Sequence, residues 1–221
     1  MKGLLIKDLH MLAQQKKLMA LYLVLAVFLG YSMDSSFVVS YFPMIAVLLA
    51  FSTISNDSFD NGMAFLMAMP GTRKNYAKEK FLLSFMVLAV SWVFALVVQF
   101  ASLMIKKESF DALDLLGQDL MYIPVFMLVC SVMIPIVLKF GAEKGRLVLF
   151  AIFGIGALVI IFGSKIADFL GNTTGFDAKA FISGLEQIPA VAVAGVMGAV
   201  AVVIMLVSLL ISTGIMNRRE F

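Results

Sequence analysis

Residues 81–105 read FLLSFMVLAVSWVFALVVQFASLMI, and no charged side chain interrupts them. A run of about 20 apolar residues is long enough to cross the hydrocarbon core of a bilayer as a helix. Hydrocarbon offers the backbone no hydrogen-bond partners, so a crossing segment must satisfy its own polar groups. This stretch therefore predicts a membrane-spanning helix.

Five further apolar runs accompany it, and together they predict an all-α polytopic membrane protein. The chain is 62% hydrophobic and 14% charged, whereas soluble domains are about 25% charged. The alternating ten-residue segments of a membrane β-barrel are absent from the sequence. We therefore expect residues 1–221 to form one transmembrane domain with six spans: Leu18–Met33, Phe37–Ser55, Phe81–Ile105, Met121–Leu138, Leu147–Gly163 and Ile188–Met216.

The basic residues predict the orientation, because cytoplasmic segments carry an excess of Lys and Arg. With both termini inside, 13 of the 17 Lys and Arg lie on the inner side, against 6 of the 14 Asp and Glu. The inner segments then carry a net +7 and the outer segments −4, which sum to the overall +3. The modest positive charge is thus explained by topology, and no nucleic-acid partner is predicted.

The first seventeen residues predict an interfacial helix. In helical projection Leu5, Leu9, Leu12 and Ala13 fall on one side, and polar residues fall on the other. Such an amphipathic helix lies along the membrane surface before the chain enters the bilayer. The alternative is a frayed basic leader.

Several kinds of enzyme and carrier are disfavoured. A zinc-dependent intramembrane protease needs two histidines at helical spacing, and the chain has only His10. Every Asp and Glu maps to a loop or an interface, which disfavours a proton relay inside the spans. No GxxxxGK[ST] nucleotide loop occurs in the chain, so we expect no ATPase activity and no metal or cofactor of its own. Energy for directional work would have to come from another subunit.

Residues 56–80 form a polar interruption between the second and third spans, predicted to be cytoplasmic, and read NDSFDNGMAFLMAMPGTRKNYAKEK. An apolar patch from Asn61 to Met69 ends at Pro70-Gly71. Nine residues are too few to cross a bilayer, but a short apolar helix can dock in a groove on a partner protein. The alternative is an interfacial hairpin that only joins two spans.

This arrangement resembles the permease subunit of type-2 ATP-binding-cassette (ABC) transporters. In that family an N-terminal connecting helix precedes six spans, and a coupling helix between spans two and three ends in a leucine-proline-x-x-arginine pattern. The matching residues are Met69, Pro70 and Arg73, with Met69 in the place of the usual leucine, followed by Lys80. The small members that export phenol-soluble modulins and lantibiotics or bacteriocins are most similar.

The resemblance implies a set of partners and a contact surface. Residues 56–80 would be the coupling segment, which meets an ABC ATPase subunit that binds ATP and Mg. One permease chain would pair with a second, in a homo- or heterodimer, in the bacterial plasma membrane. The residues expected to contact the ATPase are Asn61, Met63, Phe65, Leu66, Met67, Pro70, Arg73 and Lys74.

Weaker patterns suggest a cargo path and a dimer contact. Polar residues of span three, Ser84, Ser91, Trp92 and Gln99, could line a path, although hydrogen bonds between helices explain them nearly as well. The small residues Ala190, Ala194 and Gly198 recur every four positions. They could meet a second permease, or they could pack within the chain.

The cargo predicted by the resemblance is an amphipathic or antimicrobial peptide, with self-immunity as one outcome. Two other classes stay open from the sequence. One is a carrier that works without an ATPase, and the other is a membrane scaffold or immunity protein that transports nothing.

Overall fold

The computed structural model of the protein describes residues 2–32, 35–57, 62–68, 72–107, 110–141, 147–148 and 190–218, with residues 151, 154, 158 and 162. The described part is helical and contains no β-strand. The helices are α1 (Lys2–Gln14), α2 (Lys16–Ser32), α3 (Ser36–Asp57), α4 (Gly62–Ala68), α5 (Thr72–Lys106), α6 (Ala112–Leu120), α7 (122–141) and α8 (Ala190–Arg218).

Within the described residues, four helices are long and apolar enough to cross a membrane: Ser36–Asp57, Asn75–Lys106, Ala112–Gly141 and Val191–Arg218. They correspond to predicted spans two, three, four and six. The short α2 qualifies only together with α1, from which it is bent by 68°. Predicted span five lies mostly outside the described residues, although its described positions from 147 to 162 are helical. The protein thus spans a membrane several times, and six spans stay a prediction.

Helix α5 is the centre of the fold. At about 1.5 Å per residue, its 35 residues extend for about 52 Å, well beyond the ~30 Å hydrocarbon core. It packs along α3 and also contacts α1, α2, α4 and α8. The polar start of this helix, which was predicted as the end of the coupling segment, is therefore continuous with the third span.

The larger apolar core lies at the end of the molecule that holds α4. It joins Ile54 of α3, Met67 of α4, Tyr76 of α5, Ile134 of α7 and Met216 of α8. A smaller cluster at the other end joins α2, α3 and α5. Helix α4 thus sits on the part of the core where the most helices meet.

Helix α2 approaches α3 and α5 closely at Gly30. A Cβ added there would lie 2.9 Å from Val38 Cγ2 and 3.2 Å from Val98 Cγ1. Both atoms belong to stiff β-branched side chains, so the helices would have to separate.

We expect Gly30→Ala to lower the free energy of unfolding by about 1–3 kcal/mol, the usual cost of overpacking. Gly214→Ala is the matched control, because no atom lies within 4 Å of its added Cβ. Titration with a denaturing detergent measures the free energy of unfolding of both variants. Equal stability of the two variants would contradict the close approach at Gly30.

Candidate functional site

A buried cluster of charges ties three helices together. It consists of Lys7 and Asp8 of α1, Asp57 of α3, and Glu79 and Lys80 of α5. Asp8, Glu79 and Lys80 are at most 1% exposed, and Asp57 is 5% exposed. Such groups are stable away from water only when they are paired, so the contacts among them decide how α1 sits against the spans.

Lys80 is the centre of this cluster. Its ammonium pairs with Asp8, lies 3.0 Å from Asp57 Oδ2 and 3.8 Å from Glu79 Oε2, and donates a 3.0 Å hydrogen bond to Thr53 Oγ1. It also lies 4.9 Å from the centre of the Tyr76 ring, one helical turn away. One side chain therefore holds α1, α3 and α5 at a single point.

Lys7 and Tyr76 complete the network. Lys7 donates to Asp57 and lies 3.1 Å from Asp8 Oδ1, and its side chain is 30% exposed. The Tyr76 hydroxyl donates a 2.8 Å hydrogen bond to Asp57 Oδ2. When all five groups are ionised, three carboxylates face two ammonium groups, which leaves a net charge of −1. Among the described residues, the Glu79 carboxylate has no hydrogen-bond partner.

We expect Tyr76→Phe to lower the free energy of unfolding by about 1–3 kcal/mol, because buried Asp57 loses a hydrogen-bond donor. Tyr31→Phe serves as the control, since Tyr31 is 62% exposed. The two variants can be compared by thermal unfolding in detergent. A Tyr76→Phe protein as stable as the control would show that this hydroxyl contributes nothing.

Helix α4 packs on the apolar core that contains Tyr76, whose hydroxyl bonds to Asp57 of this cluster. Met63 and Met67, one turn apart, are buried in the core that contains Tyr76 and Phe81. Leu66 is half-buried against the same core. Phe65 points the other way, with 74% of its side chain exposed. The helix thus has one face anchored to the protein and one apolar side chain left outside it.

The other residues predicted to contact an ATPase are described only in part. Arg73 is exposed on the first turn of α5. Lys74 is helical, but its side chain is not among the described ones, and Asn61 and Pro70 lie outside the described residues. The contact itself stays a prediction.

Four of the acidic residues expected in loops or at an interface lie on helices and are buried in the protein. Asp8, Asp57, Glu79 and Asp119 are helical, and each is 5% exposed or less. The last three also fall inside candidate spans. Their pairing partners lie up to 72 residues away in the chain, so local sequence could not reveal that they would be buried.

The face of α1 that packs on the protein differs from its predicted apolar face. Leu12 is buried, but Leu9 and Ala13 are exposed, and the other deeply buried residue is Asp8. The helix packs on the spans through Asp8 and Leu12, which are one turn apart. The charge pair with Lys80 explains why a carboxylate lies on the packed face.

The predicted path residues of α5 face different surroundings. Ser84 and Ser91 donate to carbonyls of their own helix, at 2.8 Å and 3.0 Å. The Trp92 indole donates to the Asp119 carbonyl at 3.4 Å, and the Gln99 amide lies 3.5 Å from the Asp119 carboxylate. Two of the four therefore meet α6, and a common path stays a prediction.

Two of the three small residues singled out on α8 pack within the chain. Ala194 is 3% exposed, and a Cβ at Gly198 would lie 3.9 Å from Pro124 Cγ of α7. For Ala190 the structure describes only the backbone. These contacts support the intramolecular alternative for two of the three residues, while a dimer contact stays a prediction.

A comparison with protein families identifies the class of the chain. Residues 3–217 match the family described as ABC-2 family transporter protein. The chain belongs to this family. The match covers nearly the whole chain, from α1 to the end of α8, and confirms the resemblance to ABC-2 permeases. No match was found among curated proteins or among solved structures.

Membership in the ABC-2 family identifies this membrane domain as part of a transporter. Permeases of this family are membrane subunits, and the family implies an ABC ATPase as partner. The protein is thus a multi-pass permease subunit of an ABC transporter. The description of the family names no cargo.

Proposed function

We propose that this permease subunit exports amphipathic or antimicrobial peptides, driven by ABC ATPase subunits that dock on α4. Two permease chains and two ATPases would form the working unit, with ATP and Mg bound by the ATPases. Both termini and α4 would face the bacterial cytoplasm. Export of such peptides would also give the cell immunity to them.

The arrangement of α4 carries the docking proposal. Its inner face is held by Met63 and Met67, and Phe65 is 74% exposed. A partner that closes over Phe65 would bury an aromatic anchor of the kind that dominates binding energy at interfaces. The same partner would push on a helix that packs against Tyr76, whose hydroxyl bonds to Asp57 of the charge cluster.

The charge cluster would transmit that push. Lys80 belongs to the long helix α5 and is bonded to both α1 and α3. A displacement of α4 against α5 would therefore move α1, α3 and α5 together. Packed networks with discrete arrangements carry coupling between sites in this way.

The cargo part of the proposal rests on the resemblance to small peptide exporters. An export assay tests it: the permease and its co-purifying ATPase are reconstituted in liposomes, and ATP-dependent transport of an amphipathic α-helical peptide is measured. We expect transport with both subunits and ATP, and none with the permease alone. Transport without the ATPase would favour an independent carrier. Peptide immunity that survives deletion of the ATPase would favour a scaffold.

A further inference from the structure

The bend between α1 and α2 encloses an apolar cavity of about 410 Å³, here called the elbow cavity. Its walls come from four helices, with Leu12 of α1, Met19 of α2, Phe42 of α3 and Val87 of α5 among them. This volume falls within the roughly 300–1,000 Å³ of small-molecule sites. The cavity adjoins the packed face of α1 without including the charge cluster.

The lining of the elbow cavity selects an apolar occupant. Among the described residues that line it, only Tyr22 and Ser91 have a polar side chain, and the Ser91 hydroxyl already donates to the Leu88 carbonyl. Several wall residues are exposed, including Met19 at 43% and Val90 at 71%. The cavity is therefore open toward the surroundings of the helices, which for a membrane protein include lipid chains.

Two cations stand at the bend, next in sequence to residues that line the cavity. Lys16 and Lys17 begin α2, and both are exposed. Along the chain they lie between Ala13 and Met19, which both line the cavity. Lys7, in contrast, is held by Asp57 and Asp8. A basic cluster beside an apolar cleft between helices is the usual recognition pattern for an anionic lipid headgroup.

We propose that the elbow cavity binds one acyl chain of an anionic phospholipid whose phosphate is held by Lys16 and Lys17. This inference rests on the proposed interfacial position of α1. Bound lipid would fill the space between α1 and the spans next to the bend, while the ion pairs of Lys7 and Asp8 hold the helix farther from the bend. It would thereby hold α1 in the position that the charge pairs require.

Binding can be measured on the purified permease alone by native mass spectrometry. Delipidated protein is titrated with phosphatidylglycerol or phosphatidylcholine, and retained lipids are counted. We expect one phosphatidylglycerol to bind preferentially. Removing both charges in Lys16→Gln/Lys17→Gln should weaken its binding roughly thirtyfold, because each basic residue near the surface contributes about 1 kcal/mol. Filling the cavity with Ala46→Phe should abolish the preferential site.

Two matched controls separate this site from general lipid contact. Lys2→Gln/Lys139→Gln removes two exposed charges away from the bend, and Ala199→Phe adds the same bulk on an exposed face of α8. Both should bind phosphatidylglycerol as the unaltered protein does. Equal retention in all variants, equal binding of the two lipids, or no retained lipid would overturn the proposal. The measurement needs no ATPase and no cargo, so failure of the proposed export function would leave its outcome unaffected.

Discussion

Replacing Lys80 with Met is expected to lower the free energy of unfolding by about 3–5 kcal/mol, the usual cost of removing one partner from a buried ion pair. Lys80 is 1% exposed and contacts Asp8 and Asp57. Without it, three carboxylates share only Lys7, and the net charge of the ionised cluster changes from −1 to −2. Denaturing-detergent titration of the purified protein measures the loss.

A control on the same helix isolates the buried charge. Lys78→Met makes the same substitution two residues earlier at an exposed position. There the free energy of unfolding is expected to change by no more than about 0.5 kcal/mol. Adding Asp8→Asn to Lys80→Met should cost less than the two single changes summed, because the residues form a contacting pair. Strict additivity, or a Lys80→Met protein as stable as Lys78→Met, would contradict the role given to this pair.

Replacing Phe65 with Asp is expected to uncouple the ATPase while leaving the permease folded. Because Phe65 is 74% exposed, the free energy of unfolding should change by no more than about 0.5 kcal/mol. An aromatic anchor at an interface contributes about 2 kcal/mol or more, so affinity for the ATPase should fall roughly thirtyfold. The measurements are ATPase binding by the reconstituted permease and ATP-dependent transport.

Phe65→Leu is the matched variant for this prediction. It keeps an apolar side chain of similar reach at the same exposed position and should retain most of the binding. If Phe65→Asp bound the ATPase as tightly as Phe65→Leu, the docking role of α4 would be wrong. If instead Phe65→Asp failed to fold, the exposed position of this side chain would be wrong.

Much of the fold could be predicted from the sequence, because the membrane imposes strong local rules. A run such as residues 81–105 must be helical wherever it lies in lipid, and α5 contains it in full. The short apolar patch between Asn61 and Met69 also forms a helix, at Gly62–Ala68. These predictions depend only on neighbouring residues.

The charge cluster could not be predicted in the same way. Lys7 and Asp57 are 50 residues apart, and Lys80 and Asp8 are 72 apart. Each appeared in isolation as an interfacial or loop residue, since nothing in its neighbourhood identified a partner. The one available signal was the position of Glu79-Lys80 directly before a long apolar run, where charges must be paired if the helix end is buried. The candidate site therefore combines helix α4, which the local sequence predicts, with a buried charge network that only the three-dimensional structure reveals.

Crosslinking from position 65 tests most directly the claim that an ATPase drives this permease through α4. The native Cys130 is buried, so Phe65→Cys provides an accessible thiol for a photoactivatable maleimide. In the assembled complex we predict a crosslink to the ATPase from position 65 and none from Leu113→Cys, a residue on α6 that is 79% exposed. The absence of an ATPase crosslink from position 65 in an active complex, or equal crosslinking from both positions, would contradict the account.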